Sequence, residues 1–333
     1  MKSNGKKFLV LAVVFIVLAA LYLGLGSVDL MPDRIIMTLF GQGSRIETFV
    51  VVGIRLPRLL IVIFSGAALA LSGAILQGIT QNDLADPGII GINAGAGVGV
   101  TVFFLLFTHA TKDFAYLLPL AAFMGGALSA GLILLFSYSR QGGLNPLRML
   151  LVGIGFSMAL SGFMVLLVAS SAREEVAFIT RWLSGNVWGG DWPFVVVVVP
   201  LIVLAAIGLY FQSQILNILN LGSDVATGLG VALKRSHYLL LGYATLLAGL
   251  AVSVSGNIAF LGLIAPHIAK RVVGRRHQVN LVFTALLGGT LLLAADLLAK
   301  NMIEPNGLPT GIVVSLIGAP YFILLLVRSN QNH

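Results

Sequence analysis

Cysteine is missing from this 333-residue chain, and charge is scarce, with Asp, Glu, Lys and Arg together making up only 10%. Without cysteine there are no disulfides, thiolate metal sites, cysteine nucleophiles or lipidated cysteines. A soluble globular protein carries roughly 25% charged residues, so this chain lacks the polar surface that a compact water-soluble shape needs. No HExxH or GxSxG string occurs, and no GxxxxGK followed by Ser or Thr, which removes zinc-protease, serine-hydrolase and ATPase motifs. The histidines (His109, His237, His267, His277, His333) are scattered, with no pair at metal-ligand spacing on a helix.

What the chain has instead is apolar length. It is 58% hydrophobic, with a mean hydropathy of +1.01, and reads as one all-α polytopic membrane domain over residues 1–333. The net charge of +8 does not call for nucleic acid, because membrane proteins concentrate Lys and Arg in cytoplasmic loops. The basic MKSNGKK start imitates a signal peptide, but the apolar run from Phe8 to Gly26 is 19 residues long, without a small-x-small cleavage site. Signal h-regions run only about 7–15 residues, so this is a retained first span with its basic end in the cytoplasm.

A span needs about 20 apolar residues. The stretches 8–26, 56–77, 115–136, 149–169, 193–211, 279–299 and 311–327 qualify, and 93–107 is a shorter, glycine-rich one. Residues 238–268 would reach about 46 Å as one helix, too long for one crossing and too short for two full ones. Breaking this segment near Ser255-Gly256-Asn257 puts 12 of the 20 basic residues on the cytoplasmic side, Arg140 among them; a single crossing inverts the count to 8. The positive-inside bias therefore predicts ten spans, one short, with both termini cytoplasmic. The stretch 172–192 then lies outside, and its three tryptophans among charges predict an amphipathic interfacial helix.

The few polar residues in the apolar stretches single themselves out. Gly66, Ser72, Gly73 and Gly78 suit close helix packing, whereas Gln77 needs a partner or a water-lined face. Asn82, Asp83 and Asp86-Pro87-Gly88 are turn formers, and Asn93 can cap the next helix. That turn is either an ordinary capped turn or a constriction between two subunits. Arg55 and Arg58, three apart on one helical face around Pro57 in a first turn, either snorkel to headgroups or offer a cationic site to a carboxylate-bearing partner. Asp296 and Lys300 stand at i,i+4, where the acid can position the base; an intramembrane acid is a functional candidate by default. Pro266-His267 and Lys270-Arg271 end the short eighth span, with His267 a capping or packing group.

Together these strings resemble the permease subunits of the FecCD type, a family of ABC importers for ferric siderophores, haem and vitamin B12. The resemblance rests on RLPRLL (55–60), GAALALSGAILQGITQNDLADPGIIGINAGAGVG (66–99), LLVGIGFSM (150–158), RWLSGNVWGGDW (181–192), LNLGSDVATGLGV (219–231), AVSVSGNIAFLGLIAPHIAKRVVGRRH (251–277), ADLLAK (295–300) and LPTGIVVSLIGAPYFILLL (308–326), in family order. It implies ten spans and a translocation subunit that is not itself an enzyme. It also implies a second permease subunit, alike or different, two cytoplasmic ATPase subunits and an extracytoplasmic substrate-binding protein. ATP and Mg would be bound by the ATPases, and no cofactor by this chain.

Carried over by motif, Arg55, Arg58 and Lys300 look like the outer bases that meet the binding protein, and Asn82 and Leu84 like the cytoplasmic gate, with Gln77 a pathway residue. Within a coupling segment at about 216–236, Leu221, Gly222, Ser223, Asp224, Ala226, Gly228 and Gly230 look like the part seated in the ATPase cleft, Gly228 and Gly230 making the turn. Two positions depart from the family: Asp83 replaces a proline in the gate turn, and Gly307 an acid before the last span. The implied activity is alternating access for an iron–siderophore complex in the bacterial cytoplasmic membrane. Vitamin B12 or haem remains an alternative cargo, and an ion-coupled secondary transporter a rival that would need an intramembrane carboxylate.

Overall fold

The computed structural model describes residues 2–26, 30–88, 91–107, 114–139, 143–144, 146–169, 173–302 and 307–330. Arg140, His109 and His333, used in the sequence argument, lie outside the described residues. The helices are α1 (Lys2–Gly24), α2 (Pro32–Leu39), α3 (Arg45–Thr48), α4 (Leu56–Thr80), α5 (Ile92–Phe107), α6 (Phe114–Ser137), α7 (Pro146–Ala169), α8 (Arg173–Leu183), α9 (Trp192–Phe211), α10 (Ser213–Leu219), α11 (Ser223–Gly228), α12 (Leu233–Ser255), α13 (Leu261–Val273), α14 (His277–Met302) and α15 (Thr310–Asn330). The one extended feature described is a two-residue antiparallel pairing, Tyr138 opposite Leu144. Seven of the helices are long and apolar enough to cross a membrane, and α5 and the first part of α15 are shorter apolar helices.

Two local structures follow from backbone chemistry. The segment 238–268 breaks as expected: α12 stops at Ser255, Gly256 takes φ 71°, and α13 begins after Phe260 at φ 67°. Pro57 stands in the first turn of α4, as expected, but the helical backbone does not begin there. It is continuous from Arg45 to Thr80, with a π-helical stretch, Phe49–Arg55, just before Pro57. Proline has no N–H to return to the preceding turn, and a π-bulge is a common way to absorb that lost bond.

The buried centre of the bundle is α4, covered by α9, α12, α13 and α14. Its glycines permit this. A Cβ on Gly73 would overlap the Gly262 carbonyl of α13, and one on Gly66 would come within 2.5 Å of the Gly288 carbonyl of α14. Backbones pack here without intervening side chains, the packing that small residues allow between membrane helices. At the periphery, α1 and α7 turn Leu9, Val13, Leu151 and Leu166 outward. Part of the stretch 172–192 forms an amphipathic helix, α8, as expected, but only Trp182 of the three tryptophans lies on it. Trp182 is fully buried and its carbonyl accepts from Asn257 N, while Trp192 is partly exposed and donates to the Val52 carbonyl at 2.9 Å.

The start of α1 defines one end of the bundle, where Lys7 Nζ donates to the Val272 carbonyl at the close of α13. Its finish, at Tyr22, defines the other. The α4–α13 contact predicts a contrast between two glycines. Gly73→Ala must push α13 aside and is expected to lower stability by about 1–3 kcal/mol, the usual cost of overpacking. Gly155→Ala, with nothing near its added methyl, is expected to be neutral. Thermal unfolding of the two detergent-solubilised variants checks this.

Candidate functional site

At the Tyr22 end the structure gathers Arg58 and Lys300 around one fully buried carboxylate, Asp296, and holds Arg55 in the same region. Arg58 donates to both carboxylate oxygens, at 3.2 Å from Nε and 2.9 Å from the guanidinium terminus. Tyr22 Oη donates to Asp296 at 2.6 Å and Thr310 Oγ1 at 2.5 Å. Lys300 stands farther off, 3.8 Å from the carboxylate, and donates to Tyr22 Oη while lying over its ring. Arg55, also buried, donates to the Leu23 and Gly24 carbonyls that end α1, where the helix dipole favours a cation.

The sequence paired Asp296 with Lys300, but the closer partners come from other helices. Tyr22 and Thr310 were missed. The only signal for them was a phenol near the end of an apolar run and a hydroxyl at the first residue of α15.

At the Lys7 end lies the turn Gln81–Gly88. Asn82 shapes it, its side-chain oxygen accepting from Leu84 N at 2.9 Å, and Asp86 does the same for Gly88 N at 2.8 Å. Leu84 packs against the small apolar group of Leu263, Ile264 and Leu325. Gln77 is buried and finds its partners on α13, donating to the Leu263 carbonyl at 3.2 Å and accepting from Lys270 Nζ at 2.9 Å. Lys270 also pairs with Asp83 at 2.6 Å, so one ammonium joins α4, the turn and α13. Burial alone would push the Asp83 carboxyl up, but the Lys270 hydrogen bond and charge hold it below the usual carboxylate range. Asn93 does not cap α5; it lies inside that helix and donates to Asn257 Oδ1 at 3.1 Å.

The segment after α9 folds back as α10 and α11. The turning glycines are Gly222 at φ 102° and Gly230 at φ 83°, whereas Gly228 is the last residue of α11 and needs no such freedom. Ser223 and Asp224 open α11 on its exposed side, Ala226 is its buried anchor, and Leu221, Val225 and Leu229 stand exposed at intervals of four. Side-chain hydrogen bonds tie this piece to the bundle, one of them from Asn217 Nδ2 to Gln278 Oε1 at 2.9 Å. Gln81 Nε2 donates to the Leu219 carbonyl at 2.7 Å, and Asn217 Oδ1 accepts from His277 N at 2.9 Å. None of these links was apparent in the sequence.

Comparison with known proteins gives a concordant result. The model of the FecCD transport family matches residues 12–328. The iron(3+)-hydroxamate import system permease protein FhuG of Bacillus subtilis (strain 168) is 37% identical over 335 residues, covering 98% of this chain and 99% of the relative. The Fe(3+) dicitrate transport system permease protein FecD of Escherichia coli (strain K12) is 37% identical over 325 residues, covering 96% and 97%. Among solved structures, one described as an inward-facing conformation of a proposed metal-chelate type ABC transporter superposes with a TM-score of 0.84 at 30% identity, covering 97% of this chain and 99% of that one.

Two predictions follow from these geometries. Asp296→Ala leaves the Arg58 charge without its partner and is expected to cost about 3 kcal/mol, the low end for a broken buried pair, since Arg58 keeps a quarter of its side chain open. Arg58→Met with Asp296→Leu should recover part of that loss, as thermal unfolding would show. Because the Asp83 carboxyl is depressed, its pairing with Lys270 is complete at neutral pH. It is lost only as pH falls through that lowered value, below the ordinary carboxylate range near 3.9. Asp83→Asn should therefore raise amide exchange across 82–86 severalfold at pH 7, an opening the unaltered protein shows only in acid.

Proposed function

Because the chain belongs to the FecCD transport family, we propose that it is the membrane-spanning permease subunit of an ATP-driven importer carrying a ferric chelate of the siderophore type into the cell. In this reading the crossings are α1, the helix ending in α4, α5, α6, α7, α9, α12, α13, α14 and α15. The Lys7 end and both termini face the cytoplasm of a bacterial cell. The loop-charge bias supports that orientation, as does the meeting of Lys7 with the end of the short α13.

The partners are a second permease subunit, two ATPase subunits beneath α10–α11, and an extracytoplasmic binding protein above the Tyr22 end. ATP and Mg belong to the ATPases. Arg58 and Lys300 flank the buried acid Asp296, Arg55 stands at the same end on the carbonyls that close α1, and this surplus of positive charge supports their role in docking an acidic surface. The engagement of Asp296 by Arg58, Tyr22 and Thr310 disfavours an ion-coupled transporter, which needs a carboxylate free to take up its ion.

One observation carries the reading: the tie from the exposed α10–α11 piece to the gate turn, through Gln81 and the Leu219 carbonyl. ATP-driven closure of the ATPases moves α11, whose exposed Leu221, Val225 and Leu229 seat in their cleft. The displacement of α10 pulls on Gln81, and Asn82 and Leu84 follow because the Asx turn is a rigid unit. Hydrolysis resets the cycle. A variant carrying Leu221→Asp and Leu229→Asp changes only exposed side chains, so it should keep its thermal stability. Its ATP-dependent uptake of radiolabelled ferric chelate should nevertheless fall tenfold or more. Uptake at the unaltered rate, or uptake that survives ATP depletion but stops when the membrane potential collapses, would refute the proposal.

A further inference from the structure

Helix α14 cannot cap itself. A helix leaves its first N–H groups unpaired, and Gly274, Arg275 and Arg276, which lead into α14, carry no side-chain acceptor. The acceptor comes from α10. Asn217 turns its Oδ1 to the His277 backbone N–H at 2.9 Å and to His277 Nδ1 at 3.0 Å, while its Nδ2 donates to Gln278 Oε1 at 2.9 Å. Since Oδ1 accepts from a backbone N–H, the amide stands only this way round, and the imidazole proton sits on Nδ1. One half-buried asparagine thus holds the first two residues of α14. His277 is itself buried and lies with Leu216 of α10 over Gly78, where an added Cβ would come 3.0 Å from Leu216 and 3.6 Å from the imidazole Nε2.

The same helix holds the buried carboxylate toward its other end. Asp296 stands about 28 Å along the axis from His277, at 1.5 Å per residue, and no proline between them absorbs a displacement. Nor can α14 slide along α4, because Gly288 and Gly66 meet backbone to backbone. A displacement of α10 that reaches His277 therefore moves α14 and α4 together. It carries Asp296, Arg58 and Lys300 relative to Tyr22 on α1 and Thr310 on α15. This path is distinct from the Gln81 hydrogen bond, which pulls on the turn that follows α4.

We propose that Asn217 is a positioning residue for transport: it hands movement of the α10–α11 piece to α14, which carries it to the basic cluster where the binding protein docks. The inference rests on the transport reading above and adds to it a second line of transmission, from the ATPase side to the outer face, that bypasses the gate. Coupling between two sites is reciprocal, so docking at Arg58 and Lys300 biases α10 through the same helix.

The test uses the permease assembled with its ATPases in nanodiscs, and reads the affinity of the cognate binding protein with and without a non-hydrolysable ATP analogue and Mg. In the unaltered transporter the nucleotide should shift that affinity at least fivefold. Asn217→Leu is close in size and removes all three hydrogen bonds. It should shrink the shift below twofold while leaving the affinity without nucleotide within twofold of normal. Asn217→Asp keeps both contacts to His277 and should retain most of the shift, and so should Gln81→Leu, which cuts the other link. A shift that survives Asn217→Leu, or that is lost equally in Asn217→Asp or Gln81→Leu, overturns the inference. Asn217→Leu that weakens docking alike with and without nucleotide marks a merely structural role and overturns it too, as does an unaltered transporter that docks without any shift. A permease that recruits neither ATPases nor a binding protein refutes the transport reading instead.

Discussion

A carboxylate buried among membrane helices must be compensated by its own protein, because no water reaches it, and Asp296 shows how many elements that requirement recruits. Arg58 comes from α4, Tyr22 from α1 and Thr310 from the start of α15, while Asp296 and Lys300 belong to α14. Four helices are thereby pinned at one end. The pinning is directional, since a bidentate guanidinium–carboxylate pair fixes orientation as well as distance. It also fixes where the surplus positive charge of the Tyr22 end can stand.

Below that pin, α4 acts as the post against which the other helices are set. Apolar side chains in lipid gain little from meeting each other, so contact between helices depends on close backbone approach and on polar ties. Gly66 and Gly73 supply the approach to α14 and α13. Ser72 supplies a tie, donating to the Ala244 carbonyl of α12 at 2.8 Å. The same helix carries Gln77 and runs directly into the turn Gln81–Gly88. α4 is thus held at one end and joined to a turn at the other.

The opposite end is built from weaker and more exchangeable contacts. Lys270 serves two acceptors, one of them the half-exposed Asp83, and Gln81 reaches α10 through a single hydrogen bond. A charge pair near water contributes less than a buried one and re-forms readily. The two ends thus differ physically: a buried, over-determined carboxylate at one and a more exposed, sparsely tied turn at the other.

The helical, multi-pass character was legible from composition, because a chain with so little charge has only the bilayer to bury itself in and only helices to satisfy its backbone there. The break after Ser255 was legible too, since span length is bounded by bilayer thickness and Ser-Gly-Asn names the place. Ordered motifs carried the family. What the sequence could not show was which polar groups meet. Asp296 and Lys300 are neighbours on one helix, and i,i+4 spacing suggested their pairing, yet the shorter bonds come from Arg58, 238 positions away, and Tyr22, 274 away. Pro57 marked the first turn of α4 but gave no sign of the π-helical stretch that precedes it, and Trp182 suggested an interface where it is buried. Local periodicity and span length are properties of the chain itself, so sequence alone determined them. The partners of a buried charge depend on how separate helices rotate and approach, and that is decided only when the bundle closes.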